Sequence, residues 1–140
     1  MVEFALKDKV VLVTGSSSGI GEAVARFADA AGAKVVVNSS SSVAEGEAVA
    51  NSLKSALYLQ GDITSAADAK RLVEETVRHF GALDVLINNA GRTKVIAHHD
   101  LDAATTSVFR EIFEVNVFGT WEMTMAAMDA LKAAQGAIVN

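Results

Sequence analysis

A short run of branched apolar residues, Val10-Val11-Leu12-Val13, passes directly into Thr14-Gly15-Ser16-Ser17-Ser18-Gly19-Ile20-Gly21. The run has no polar alternation, so it reads as a strand buried on both faces, which is the habit of a parallel sheet. Beyond it, Ile20, Ala23, Val24, Phe27, Ala28 and Ala31 fall on one helical stripe, and Gly32 supplies a stop. Strand, glycine loop and helix in this order constrain the fold strongly. Gly15 permits a sharp turn off the strand, Gly19 lets backbone approach a ligand without a side chain in the way, and Gly21 allows the helix to pack closely on the strand. The helix start then offers unpaired N–H groups and a positive dipole end, which suit a phosphate. A serine- and glycine-rich turn without a ligand has the same spacing; position at the carboxyl end of a buried first strand favours phosphate binding.

The unit repeats. Residues 34–38 (Lys-Val-Val-Val-Asn) read as a second strand and 43–53 as a weakly patterned helix, and 57–59 mark a third strand. Thr64 is placed to cap a helix with the stripe Ala69, Leu72, Val73, Thr76, Val77 and Phe80, closed by Gly81. Residues 83–87 form a fourth buried strand leading into Asn88-Asn89-Ala90-Gly91. From about 102 to 131 the spacing of Val108, Ile112, Val115 and Gly119 predicts one long helix, and Ala137-Ile138-Val139 begins a fifth strand. The expected fold class is therefore α/β, a Rossmann-like doubly wound parallel sheet truncated after the start of the fifth strand. Residues 1–140 read as a single dinucleotide-binding domain.

Composition removes several function classes. With 12 basic against 17 acidic residues the formal charge is -5, which leaves no basic surface to neutralise a polynucleotide, so no nucleic-acid partner is expected. The absence of cysteine excludes disulfides and thiolate metal sites and fits a reducing, cytoplasmic compartment. Residues 1–9 do not read as a signal peptide, and no apolar run approaches the ~20 residues of a membrane helix. The expectation is a soluble protein without membrane contact. His98-His99 lacks a third ligand at metal spacing and reads as a polar loop, so no metal site is assigned. Met123, Met125, Met128 and Trp121 read first as helix packing residues.

The order of these motifs resembles the short-chain dehydrogenase/reductase family. Four stretches carry the likeness over the whole chain: Thr14-Gly15-x-x-x-Gly19-Ile20-Gly21, Gly61-Asp62-Ile63, Asn88-Asn89-Ala90-Gly91 and Asn116-Val117-Phe118-Gly119. The resemblance implies a cofactor site made of Gly15, Ser17, Ser18, Gly19, Ile20 and Gly21 around the pyrophosphate, and Asn38, Ser39 and Ser40 near the adenosine ribose. Asp62 and Ile63 would border the adenine, while Asn89, Ala90 and Gly91 would floor the nicotinamide ribose. It also implies a catalytic-tetrad role for Asn116, whose position amid apolar helical residues calls for a kink or a specific partner. The tetrad's serine, and its tyrosine and lysine separated by three residues, have no counterpart here; Tyr58 lies in the third strand without a lysine four residues later.

Sites selective for NAD(H) usually carry an acid at the end of the second strand, where this chain has Asn38 and then Ser39. NADP(H) is therefore expected in preference to NAD(H). The implied activity is hydride transfer between the nicotinamide and a carbonyl or secondary alcohol on a small-molecule substrate. The alternative is a nucleotide-binding module, or an inactive fragment, without turnover. A homo-oligomer through the long helix or an exposed sheet edge is also expected.

Overall fold

The computed structural model describes residues 6–140; the reading of residues 1–9 falls partly on residues 1–5, which lie outside the described residues. In chain order the elements are β1 (Val10–Val13), α1 (Gly19–Ala30), β2 (Lys34–Ser39), α2 (Val43–Asn51), β3 (Ala56–Gln60), α3 (Ala66–Phe80) and β4 (Val85–Ile87). A 3-10 turn (Leu101–Ala103), α4 (Thr106–Phe113), a π-helical stretch (Glu114–Gly119), α5 (Thr120–Ala134) and β5 (Ala137–Val139) follow. All strand pairs are parallel, in the order β3-β2-β1-β4-β5. The chain winds outward from β1 through β2 to β3, then crosses back to β4 and β5. The loops after β1 and β4 therefore part in opposite directions and open a crevice between them, the place where such sheets take ligands.

The apolar runs have the composition they do because both sheet faces are covered. On one face Leu12, Val36, Leu59 and Leu86 pack against Leu72 of α3 and Met123, Ala127 and Leu131 of α5. On the other, Val11, Val13, Val35 and Val37 meet Ala25 and Ala28 of α1 and Val49 and Ala50 of α2. Each fully buried side chain of this size contributes about 1.5–3 kcal/mol of transfer free energy.

The rotation of α1 differs from the expected stripe. Its buried residues are Gly21, Ala25, Ala28 and Asp29, whereas Ile20 is 78% and Phe27 60% exposed. Close approach decides this, not side-chain size. A Cβ on Gly21 would collide with the Asn89 side chain and the Gly15 carbonyl, so that face alone fits against the loop, and the alanines one and two turns on follow it inward.

The single long helix over 102–131 is likewise corrected. Thr105 accepts from the Val108 N–H with its hydroxyl at 3.3 Å and starts α4 afresh after the 3-10 turn. The path then widens into the π stretch before α5, which runs on to Ala134 and ends where Gln135 takes φ 51°. At α3 the capping residue is Ser65, not Thr64: the Ser65 hydroxyl accepts from the Asp68 N–H at 3.2 Å. Thr64 instead turns to Asp62.

Candidate functional site

A cleft of about 560 Å³ lies across the carboxyl ends of the strands, within the ~300–1,000 Å³ usual for small-molecule sites. Its first wall is the turn after β1. Thr14 ties that turn to the one after β4, its hydroxyl oxygen accepting from the N–H groups of Asn89 at 3.1 Å and Ala90 at 3.0 Å. Asn89 returns two bonds, its amide donating to the Thr14 and Gly15 carbonyls at 3.0 Å each. Ser16 is buried and donates to the Val13 carbonyl at 2.7 Å, so its hydroxyl is structural. Ser17 and Ser18 line the cleft; Ser18 precedes α1 in an extended conformation and makes no side-chain cap. Gly19 follows at φ 58°, and a Cβ there would meet nothing within 4 Å. Unlike Gly21, whose space is filled by protein, Gly19 faces open space at the start of a twelve-residue helix. That vacancy beside free helix N–H groups fits a pyrophosphate.

At the end of β2 the structure separates three residues that the sequence places together. Asn38 is 1% exposed, and its carboxamide is turned into the protein. Ser39 is buried too, donating to the Ser42 carbonyl at 2.9 Å and paired with the Tyr58 hydroxyl at 2.8 Å. Ser40 is exposed and lines the cleft with Ser41 and Ser42. All of residues 38–42 border the cleft, and its exposed hydroxyl surface at this end is set by residues 40–42.

The turn after β3 makes the next wall. The Asp62 carboxylate accepts from the Thr64 N–H at 2.9 Å and from its hydroxyl at 2.8 Å, while the Asp62 N–H donates to Asp68 at 2.9 Å. That N–H first, and the Arg71 guanidinium second, hold the Asp68 carboxyl below the ordinary carboxylate value. Arg71 also donates to the Gln60 carbonyl at 2.7 Å, so α3 grips the turn on either side of Gly61. Ile63 borders the cleft; it is buried, and a Cβ on Gly119 would press within 2.8 Å of its side chain. The small residue in the π stretch is what lets this turn close.

Asn116 lies in that π stretch, a feature frequent at functional sites. Its carboxamide pairs twice with the backbone of Arg92: the Arg92 N–H donates to Asn116 Oδ1 and Asn116 Nδ2 donates to the Arg92 carbonyl, both at 2.8 Å. Both halves of the expectation, a distortion and a specific partner, are realised together. Asn116 fixes the chain leaving Asn89, Ala90 and Gly91, all three of which line the cleft.

Several lining residues escaped the sequence reading. Arg92, Glu111, Glu114 and Val115 complete the wall on the α4 side, and Arg92 pairs with Glu111 at 3.3 Å. One signal was available, since Val115 directly precedes Asn116 and Arg92 directly follows Gly91. Thr14 was legible only as part of a motif; its role as the tie between two turns needs the sheet order. Among the described residues no group of three or more His, Cys, Asp or Glu side chains is placed to hold a metal, and no helix is long and apolar enough to cross a membrane.

Comparisons with known proteins agree with this geometry. A family model described as short chain dehydrogenase matches residues 9–140. A Streptomyces violaceoruber protein that carries the name granaticin polyketide synthase ketoacyl reductase 2 is 55% identical over 132 residues, covering 94% of this chain and 53% of that protein. An alcohol dehydrogenase from the archaeon Thermococcus sibiricus, complexed with 5-hydroxy-NADP, superimposes with a TM-score of 0.83 at 30% identity, over 93% of this chain and 56% of that one. A 3-ketoacyl-(acyl-carrier-protein) reductase from Brucella melitensis, complexed with NADH, gives 0.82 at 35% identity, over 91% and 52%. The chain spans about half the length of the curated relatives it matches.

Proposed function

Because the chain belongs to the short-chain dehydrogenase family, we propose that its cleft binds a nicotinamide dinucleotide, NADP(H) before NAD(H). The observation that carries the reading is the open space at Gly19, set beside the N-terminus of α1 at the switch point of the sheet. The N–H groups after Gly19 hold the pyrophosphate, with the Ser17 and Ser18 hydroxyls as added donors. Asp62 accepts from the adenine amine, the Ile63 backbone borders the ring, and Asn89, Ala90 and Gly91 floor the nicotinamide ribose. When bound, the nicotinamide supplies or accepts the hydride exchanged with a small-molecule carbonyl or secondary alcohol. Asn116 orders the backbone at Arg92, next to that end of the cleft.

Preference for the phosphorylated cofactor rests on residues 40–42, which present hydroxyls and no carboxylate. A carboxylate at contact distance from a 2′-phosphate costs about 4 kcal/mol at intermediate dielectric, less where water screens it. Calorimetry should therefore give tighter binding of NADPH than NADH, and Ser40→Asp should lower the NADPH:NADH affinity ratio at least ~10-fold. Equal or tighter NADH binding by the unaltered chain overturns the preference.

A homo-oligomer belongs to the same reading, supported by one stripe. Phe109, Phe113, Val117, Trp121 and Met125 recur every fourth residue through α4, the π stretch and α5, and each is 45% exposed or more. A row of this length is an association surface more often than a solvated one. Sedimentation is expected to show a dimer or larger, reduced to monomer by the pair Phe113→Glu and Trp121→Glu. A monomeric parent chain at micromolar concentration would rule the stripe out as a self-association surface.

A further inference from the structure

We propose that Asn38 is a positioning residue that holds the phosphate loop and the adenine wall at a fixed separation; this rests on reading the cleft as a dinucleotide site. Its carboxamide oxygen accepts from the Gly15 N–H at 3.3 Å, while its amide donates to the carbonyls of Leu59 at 3.1 Å and Gly61 at 3.2 Å. Its backbone adds an N–H donated to Ser16 Oγ at 3.0 Å and a carbonyl that accepts from the Ser16 N–H at 2.8 Å. Five bonds thus run to two segments that are not neighbours, the turn after β1 and the end of β3 with Gly61, since β2 lies between β1 and β3. Just past the last β1–β2 pair, Val13 with Val37, where the turn after β1 leaves the sheet, this side chain spans from that turn to Gly61.

The chemistry of the position is specific to asparagine. One direction requires an acceptor for an N–H and the other two donors for two carbonyls, a combination that a carboxamide provides. A carboxylate would turn oxygen toward the Leu59 and Gly61 carbonyls, and an apolar group of the same size would remove the side-chain partner of the Gly15 N–H and of both carbonyls. The side chain is 1% exposed at the back of the cleft wall, and its amide donors are both spent on backbone carbonyls. Its effect is on the span between adenine and pyrophosphate, which NADPH and NADH share. Removing it should weaken both cofactors by a common factor and leave their ratio unchanged, which a residue that contacts the 2′ position would not do.

The test titrates NADPH and NADH into the parent chain, Asn38→Leu and Asn38→Ser, with circular dichroism as the check on folding. Both affinities should fall about 10-fold or more in a folded variant, with the NADPH:NADH ratio retained. A second measurement needs no variant. Adenosine 2′-monophosphate, which loads only the adenine side, should slow hydrogen exchange at the Gly15 N–H of the parent chain through Asn38. Unchanged affinities in a folded variant, a shifted ratio, or unaltered Gly15 exchange at saturation would each overturn the inference while the cofactor reading stands. A parent chain that binds neither dinucleotide would overturn that reading and this one with it.

Discussion

Gly19→Val should lower NADPH affinity at least ~100-fold while leaving most of the sheet intact. Two effects add. Valine at φ 58° takes a backbone conformation that costs an L-residue about 1–2 kcal/mol, and more when the side chain is β-branched. Its Cβ also enters open space at the start of α1, where the proposed pyrophosphate would meet the helix N–H groups. Charge-assisted hydrogen bonds contribute about 1.5–3 kcal/mol each, so two lost bonds suffice for the factor stated. Because the space is otherwise empty, nothing in the core is displaced. Gly21 gives the contrast: a side chain there collides with Asn89 and the Gly15 carbonyl, so Gly21→Val should cost the fold itself. Circular dichroism and calorimetry separate the two cases. A folded Gly19→Val chain with undiminished affinity would show that the loop is a turn and nothing more.

The sheet was readable because each strand is short and built on a run of apolar residues and its helices are separated by glycine and polar loops. Residues 10–13 match β1 without adjustment, and the α3 stripe of Ala69, Leu72, Val73 and Thr76 is the buried face of that helix. Periodicity failed where packing obeyed another rule. In α1 the large residues Ile20 and Phe27 suggested the inner face, yet close approach at Gly21 set the rotation and left them outside. Over 102–131 the spacing of Val108, Ile112, Val115 and Gly119 suited one helix, and a pattern that coarse cannot register the extra residue per turn of a π stretch.

The site divides the same way. Motif residues at turns were legible because glycine and asparagine there answer local backbone needs. Which way a side chain faces was not, since that depends on neighbours brought in from other strands. Asn38, Ser39 and Ser40 are consecutive and all polar, and nothing local distinguishes them. In the folded chain all three border the cleft, but Gly15, Leu59 and Gly61 claim the side chain of the first and Tyr58 and Ser42 that of the second, so the third alone is exposed. Arg92 and Glu111 are nineteen positions apart in sequence and meet only because α4 returns across the loop after β4.

The chain of 140 residues should show no cofactor-dependent carbonyl reduction even when NADPH is bound. Reduction needs a group that delivers a proton to the nascent alkoxide beside the nicotinamide. The one tyrosine, Tyr58, is in β3 with its hydroxyl bonded to Ser39, two strands removed from β1 and three from β4, which leads into Asn89 to Gly91. Four residues beyond it stands Asp62 instead of a lysine. General acid catalysis is worth about 10²–10⁴-fold, and positioning of the substrate against the cofactor is a further, larger factor. Asn116 does not replace either: its carboxamide is spent on the Arg92 backbone and carries no titratable proton. The measurement follows NADPH absorbance with a panel of ketones and the purified chain, after calorimetry has established that the cofactor binds. Binding without turnover is the expected result and agrees with a chain that supplies the cofactor site alone. Turnover that survives purification and disappears in Gly19→Val would overturn this account, because it would require a proton donor among residues to which no such role has been assigned.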